Sequence, residues 1–152
     1  MKKIIFLIFI LLGLTSCNKK EFNIENLNDN KITILGHGGM GISHIYPMNS
    51  YESISRCLNF NADGTEIDVQ MTIDSVLIAY HDYNLEKKTN AEGNVFYKKW
   101  DEICNTTYKK TFFGNYNLIN LDYLFSNLDN KNEKIFMLDC KNFKPDTTAL
   151  YR

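Results

Sequence analysis

The stretch Thr65-Glu66-Ile67-Asp68-Val69-Gln70-Met71 predicts a buried β-strand that carries chemistry on one face. Side chains alternate along a strand, so Glu66 and Asp68 face one side of the sheet, and the apolar residues between and after them face the other. Two carboxylates that face the same way repel each other unless a cation lies between them. A solvated strand face is the alternative. The strong strand formers on either side, and His81-Asp82 downstream, favour a metal site.

A second apolar segment follows at residues 76–80 and ends at His81. Residues 72–75 are too few for a parallel crossover, which takes roughly a dozen residues or more. We therefore expect an antiparallel hairpin with its turn centred on Asp74-Ser75, which would place Asp68 opposite His81 on the same face. Histidine beside carboxylates suits acid–base chemistry assisted by a hard divalent cation.

A glycine-rich turn upstream carries a second histidine, in Ile34-Leu35-Gly36-His37-Gly38-Gly39. Residues 32–35 predict a compact buried strand that ends just before His37. The glycines permit positive φ angles and close approach of the backbone to a ligand. A flexible loop without a ligand is the alternative for the glycines alone.

Two scaffold helices are predicted from their capping residues. Asn49 is expected to cap the first, with Glu52 three residues later in the capping-box position. Asn120 is expected to cap the second, over residues 121–128, whose apolar side chains recur at helical spacing.

The rest of the chain alternates between loops and one strand. Residues 109–116, rich in lysine and aromatic side chains, predict a loop that lies against the surface. Residues 135–140 form the last predicted strand. Asp139 stands near its end, as His37 does after the first strand.

The order and spacing of these motifs resemble the glycerophosphodiester phosphodiesterase family. The resemblance runs over residues 34–95 and resumes at 120–122 and 136–141. Beyond the histidines and carboxylates it rests on Pro47-Met48-Asn49-Ser50, Thr89-Asn90-Ala91-Glu92-Gly93-Asn94-Val95, Asn120-Leu121-Asp122 and Phe136-Met137-Leu138-Asp139-Cys140-Lys141. It implies an α/β fold, an irregular (β/α)8 TIM-type barrel related to the phosphoinositide-specific phospholipases. It also implies hydrolysis of glycerophosphodiesters to an alcohol and glycerol 3-phosphate.

The resemblance also implies roles for individual residues. Glu66, Asp68 and Asp139 would hold a divalent cation, Ca²⁺ or Mg²⁺. His37 and His81 would be the catalytic acid–base pair, one activating the nucleophile and the other protonating the leaving oxygen. The sequence does not assign the two roles between them.

Three positions depart from the family pattern. Gly38 stands where the family usually has arginine, which removes a bidentate contact to the substrate phosphate. Met48 replaces the acid of the Pro-Glu-Asn-Thr segment. Asp139 replaces the more usual glutamate. Lys141 matches the family's downstream lysine and would supply positive charge to the phosphate.

Two alternatives remain open. One is a related lipid phosphodiesterase on the same barrel, such as a sphingomyelinase D-like enzyme. The other is a surface lipoprotein that binds phosphodiesters or lipid headgroups without turnover. The missing arginine favours the second, and the complete set of histidines and strand carboxylates argues against it.

The amino-terminal segment indicates export. Lys2 and Lys3 precede an apolar run over residues 4–14, a pattern typical of a secretory signal and short for a membrane span. The ending Leu14-Thr15-Ser16-Cys17 resembles the bacterial lipobox, in which the cysteine is lipidated. An ordinary cleaved signal or a short anchor helix is the alternative.

These patterns predict three segments and a location. A lipoprotein signal covers residues 1–17, a polar tether covers 18–30, where apolar surface is too scarce to fold, and residues 31–152 are the amino-terminal part of the phosphodiesterase domain. The predicted location is an exported lipoprotein held at the membrane by its lipid, on the periplasmic or surface side.

Size, charge and cysteine spacing exclude other classes. The net charge is −1 and there is no basic stripe, so nucleic acid is not an expected partner. Cys57, Cys104 and Cys140 have no zinc-site spacing and are expected to act as small buried hydrophobes. A complete (β/α)8 barrel usually takes roughly 250 residues, so we expect only the first half of a barrel in this chain.

Overall fold

The computed structural model describes residues 32–41, 45–111, 113–129 and 131–141. The strands and α-helices in these ranges are β1 (Leu35–Gly36), α1 (Tyr51–Asn59), β2 (Gly64–Met71), β3 (Leu77–Ala79), α2 (Trp100–Ile103), α3 (Leu121–Asn127) and β4 (Ile135–Cys140). Single turns of 3₁₀-helix cover Leu85–Lys87, Val95–Tyr97 and Lys131–Glu133. None of the helices in the described ranges combines the length and apolar character needed to span a membrane.

Strand β2 lies at the centre of the sheet. β4 runs parallel to it along one edge, and its bounds match the predicted last strand. Along the other edge, β1 pairs in parallel with the start of β2 and β3 pairs antiparallel with its end. The predicted hairpin between β2 and β3 is therefore confirmed, and α1 connects two parallel neighbours, as expected in an α/β fold.

The hairpin register differs by one residue from the predicted one. Asp68 lies opposite Tyr80, whose backbone N–H donates to the Asp68 carbonyl at 2.9 Å. The predicted pairing of Asp68 with His81 is therefore wrong. The reason is the turn, in which residues 73–75 form a three-residue loop and Ser75 adopts a positive φ of 66°. Three-residue loops of this kind place a residue in the left-handed region.

Helices α1 and α3 cover one face of the sheet. The buried side chains of this layer are Ile54, Leu58, Ile67, Val69, Ala79, Ile119, Leu121, Leu124 and Leu128. Fully burying one such aliphatic side chain stabilises the fold by roughly 1.5–3 kcal/mol. Asn120 caps α3 as predicted, because its side chain accepts from the Tyr123 N–H at 2.7 Å. Since apolar residues take this face of β2, the carboxylates of Glu66 and Asp68 lie on the other.

A second apolar cluster lies beneath the connections between β3 and α3. Its buried members are Ile78, Tyr80, Leu85, Val95, Ile103, Tyr108, Tyr116 and Leu118. Residues 109–116 are therefore only partly the surface loop that the sequence predicts, because Tyr116 is buried in this cluster. The cluster fixes the loops that form one wall of the cavity described below.

The first strand is shorter than predicted. The sequence predicts a buried strand over residues 32–35, but Ile32 and Ile34 are exposed and the strand covers only Leu35–Gly36. β1 has a neighbour only where β2 begins, and no other described strand pairs with it. Because no described strand lies along its second edge, none covers Ile32 and Ile34 there.

Candidate active site

Three carboxylates meet on the face of the sheet opposite the helices. Glu66 and Asp68 alternate along β2, and Asp139 of β4 is in register with Asp68. One oxygen from each of the three lies within 4.8 Å of the others. Glu66 and Asp68 are buried and Asp139 is exposed. Parallel pairing therefore assembles an acidic cluster from residues more than 70 positions apart in sequence.

Lys141 neutralises part of this cluster. Its Nζ lies 2.5 Å from Asp139 Oδ2 and 2.9 Å from Asp68 Oδ1. The hydrogen bond to Asp139, followed by the close contact with the Asp68 carboxylate, raises the pKa of Lys141 well above its ordinary value, so the amine stays charged. The lysine predicted to contact the phosphate thus lies beside the carboxylates.

Asp68 is held by Asn49, a residue that the sequence assigns to another task. The Asn49 Nδ2 donates to Asp68 Oδ2 at 2.6 Å, and its Oδ1 accepts from the Asp68 backbone N–H at 3.1 Å. The predicted cap at Asn49 is wrong, because Ser50 caps α1 by accepting from the Ser53 N–H at 3.2 Å. Asn49 lies outside the helix, with a positive φ of 65°. Its side chain therefore does not cap α1 and instead makes the two hydrogen bonds with Asp68.

Replacing Asn49 by glycine is expected to lower the free energy of unfolding by about 1–3 kcal/mol, because two buried groups of Asp68 lose their partners. Alanine should cost about 1 kcal/mol more, since a Cβ disfavours the left-handed backbone of this residue. Thermal and urea unfolding of the full-length protein measure both changes.

The matched control is Asn61→Gly. Asn61 has a φ of 64° but is exposed and makes no described contact with Asp68. This control should leave stability nearly unchanged. If both substitutions lowered the free energy of unfolding equally, the loss would come from replacing an asparagine with a positive φ. The contact between the Asn49 amide and Asp68 would then not be its cause.

Glu66 connects the cluster to the glycine-rich turn. Its Oε2 accepts from the Gly38 N–H at 2.9 Å and lies 3.9 Å from His37 Nε2. Burial is the main cause of a raised pKa at Glu66, and the neighbouring Asp68 and Asp139 add to it, while the Gly38 N–H opposes it. A carboxylate crowded in this way is stabilised by an added positive charge.

The glycines of the turn pack against the protein itself. A Cβ on Gly39 would lie 2.5 Å from the backbone carbon of Ser53, and Gly39 has a φ of 88°. A Cβ on Gly38 would lie 3.0 Å from Met48 Cε. The two departures from the family pattern, Gly38 and Met48, are therefore neighbours, and an arginine at position 38 would require Met48 to move.

Both histidines line one cavity of about 570 Å³. The three carboxylates are not in its lining, and the cavity meets the acidic cluster through His37, whose Nε2 lies 3.9 Å from Glu66 Oε2. The histidine side chains are accessible, with 67% of His37 and 54% of His81 exposed. His81 Nδ1 lies 3.4 Å from Asp82 Oδ1, which orients the ring. Although the strand register differs from the expected one, the end of β3 still delivers His81 to the same cavity as His37.

The donor set fits a hard divalent cation. All three candidate ligands offer carboxylate oxygens, the atoms that Ca²⁺ and Mg²⁺ prefer. Asp68 Oδ1 is buried and has no partner with hydrogen-bond geometry among the described residues, although Lys141 lies at ion-pair distance. An acceptor of this kind is costly to bury without further compensation.

Solved structures with the same architecture define the class as an α/β barrel. A glycerophosphoryl diester phosphodiesterase from Parabacteroides distasonis is 31% identical with a TM-score of 0.63, over 80% of this chain and 43% of that one. A glycerophosphodiester phosphodiesterase from Agrobacterium tumefaciens is 25% identical with a TM-score of 0.65, over 74% and 48%. The predicted irregular (β/α)8 fold is confirmed, with part of the barrel in this chain.

A model of the glycerophosphoryl diester phosphodiesterase family matches residues 40–146, and the chain belongs to this family. The glycerophosphodiester phosphodiesterase of Caldanaerobacter subterraneus subsp. tengcongensis is 37% identical over 65 residues, which are 43% of this chain and 26% of that protein. The match thus spans about a quarter of this relative's length. The family depends on a divalent metal.

Residues 1–18 match the prokaryotic membrane lipoprotein lipid attachment site. The match agrees with the predicted lipobox and indicates an exported protein anchored to a membrane. Cys17 and the tether at residues 18–30 lie outside the described residues.

Proposed function

We propose that the full-length protein hydrolyses glycerophosphodiesters to an alcohol and glycerol 3-phosphate with the help of a divalent cation. The observation that carries the proposal is the acidic cluster on β2 and β4 beside a cavity lined by two histidines. A phosphodiester carries one negative charge and has a poor alkoxide leaving group. Its hydrolysis therefore requires both charge neutralisation and a proton donor.

Glu66, Asp68 and Asp139 would hold the cation, which is Ca²⁺ or Mg²⁺ in our proposal. When bound, it would supply positive charge beside the phosphate oxygens. Lys141 would add a second positive charge at the same place. Gly38 supplies its backbone N–H to Glu66 and has no side chain to contact the phosphate, so Lys141 takes a larger share of phosphate binding than in relatives with arginine there.

His37 and His81 would carry the protons. One ring accepts the proton of the attacking oxygen as its bond to phosphorus forms. The other donates a proton to the alcohol oxygen as the phosphorus–oxygen bond breaks, so that no free alkoxide leaves. Asp82 would stabilise the protonated ring of His81, and Glu66 that of His37.

The test is product analysis with the full-length protein. Incubation with glycerophosphoglycerol and Mg²⁺ or Ca²⁺ is expected to release glycerol and glycerol 3-phosphate, measured by an enzyme-coupled assay. Binding without turnover would support the headgroup-binding lipoprotein, which the absence of a side chain at Gly38 favours. Hydrolysis of sphingomyelin or lysophospholipid, with glycerophosphodiesters untouched, would support the related lipid phosphodiesterase.

Cys17 is proposed as the lipidated residue. Cys17→Ser is expected to abolish incorporation of radioactive palmitate, because the hydroxyl does not replace the thiol that forms the thioether to the lipid. Cys104→Ser serves as the matched control and should keep the label. Undiminished labelling of the Cys17 variant would contradict the lipoprotein assignment.

A further inference from the structure

One wall of the cavity beside the histidines is strongly cationic. It consists of Lys87, Lys88, Lys109 and Lys110. Twenty residues separate Lys88 from Lys109 in the sequence, and backbone contacts join the two segments. The Lys109 N–H donates to the Lys88 carbonyl at 2.7 Å, and Thr89 and Tyr108 form a β-bridge. We call these four residues the lysine wall.

The protein neutralises the lysine wall only in part. Lys109 Nζ donates to the Glu86 carbonyl at 3.3 Å. Backbone hydrogen bonds, and then the nearby charges of Lys109 and Lys87, lower the pKa of the Glu86 carboxylate. Asp82 is the one acidic residue among those that line the cavity in the described part of the chain. It lies 3.8 Å from Lys87 and also contacts His81. Lys88 and Lys110 have exposed side chains without an ion-pair or hydrogen-bond partner in the described ranges. Although the net charge of the chain is −1, four lysines lie together in the lining of this cavity.

Tyr108 gives an independent indication of a ligand. It lines the same cavity, is only 8% exposed, and its hydroxyl has no hydrogen-bond partner among the described residues. Burial raises its pKa far above the ordinary value, so the phenol remains a neutral donor. Buried donors are normally paired. The Tyr108 side chain lies in the lining of the cavity, where the acceptor of a bound ligand would complete the hydrogen bonding of its hydroxyl.

We propose that the lysine wall and Tyr108 form a subsite for a second anionic group on the alcohol part of the substrate. The preferred substrates would then be glycerophosphodiesters whose alcohol carries a further phosphate. This inference rests on the proposed function and deepens it. The wall lines a concave cavity shared with His37 and His81, so it suits a group attached to the reacting phosphodiester better than a flat anionic membrane surface.

Two substrates that differ by one phosphate test the subsite in the full-length protein. They are glycerophosphoglycerol and the same compound phosphorylated on its terminal hydroxyl. An exposed lysine–anion pair typically contributes up to about fivefold. Lys88→Gln/Lys110→Gln is therefore expected to lower kcat/KM for the phosphorylated substrate about tenfold more than for the other. Lys99→Gln removes an exposed lysine outside the cavity and should not change the ratio.

Tyr108→Phe is a second probe, since it removes only the hydroxyl. It should lower the same ratio about threefold, within the range of one neutral hydrogen bond. Added salt should reduce the parent's preference, because exposed charges are screened. The proposal would be overturned if the parent protein did not prefer the phosphorylated substrate. It would also be overturned if the variants lowered kcat/KM equally for both substrates.

Binding measurements test the subsite independently of catalysis. If neither substrate is hydrolysed, the proposed function fails, and calorimetry with the phosphorylated diester still decides the subsite. Tighter binding by the parent than by the double variant supports it, and equal affinity overturns it. If the double variant lost binding to phosphatidylglycerol vesicles but kept the parent's ratio of kcat/KM for the two substrates, the lysine wall would be a membrane contact. This result would refute the subsite.

Discussion

Asp68→Asn is expected to lower turnover of glycerophosphodiesters by about 10³-fold, because a bound cation supplies several kcal/mol of charge stabilisation in the transition state. Asp68 is fully buried at the centre of the acidic cluster, between Glu66 on its own strand and Asp139 on the next. The amide has nearly the same shape and its oxygen can still accept from Asn49, so the fold should persist, although the ion pair with Lys141 is lost. Affinity for Mg²⁺ or Ca²⁺, measured by calorimetry, should fall in parallel with activity.

Asp101→Asn provides the matched control. Asp101 is exposed on α2 and lies outside the acidic cluster, so this variant should keep the parent's metal affinity and rate. Circular dichroism should show folded protein in both variants. Equal metal affinity in the Asp68 variant and the parent would refute this placement of the cation.

Removal of either histidine should also lower kcat sharply. General acid and general base steps each typically contribute about 10²- to 10⁴-fold, so His37→Ala and His81→Ala are each expected to lose activity within this range on glycerophosphoglycerol. Both side chains are exposed and neither is part of the apolar clusters, so stability should be nearly unchanged. Steady-state kinetics with each variant measure the loss.

A substrate with p-nitrophenol as the leaving group separates the two roles. This leaving group needs little protonation, so the variant that lacks the general acid should recover most of its rate, and the variant that lacks the base should not. His44→Ala is the matched control, because His44 is the third histidine of the chain and lies outside the motifs that resemble the family. Near-parent kcat in both His37 and His81 variants would refute the acid–base pair.

The sequence predicts the fold correctly where the hydrophobic pattern and the length of a connection permit only one arrangement of the strands. Alternation over residues 65–71 separates the carboxylates from the apolar core, and the short link after Met71 permits only an antiparallel return. The register was not predictable in the same way. It depends on Ser75 adopting a positive φ, which is uncommon for a residue other than glycine or asparagine.

Within the site, motifs identify the chemical groups, and the contacts around them depend on tertiary structure. Asn49 precedes a helix in sequence, and the sequence predicts it as the cap because asparagine is a strong capping residue. Ser50, the next residue, caps equally well, which leaves Asn49 to contact Asp68. Two equally good caps in succession cannot be ranked without the position of β2.

The lysine wall illustrates the same limit. Lys87-Lys88 and Lys109-Lys110 each look like ordinary solvated charges in sequence. They become one surface because the backbone bridge between Thr89 and Tyr108 joins two loops through a buried aromatic cluster. Non-local pairing of this kind has no periodic signal in the sequence.

The central claim is tested most directly by removing and restoring the divalent cation in the full-length protein. Turnover of glycerophosphoglycerol is measured after treatment with EDTA and again after addition of Mg²⁺ or Ca²⁺. We predict that the parent loses its activity and regains it, and that Asp68→Asn does not regain it at the same metal concentration. Full activity in the presence of the chelator, or equal recovery by the parent and the Asp68 variant, would contradict the account.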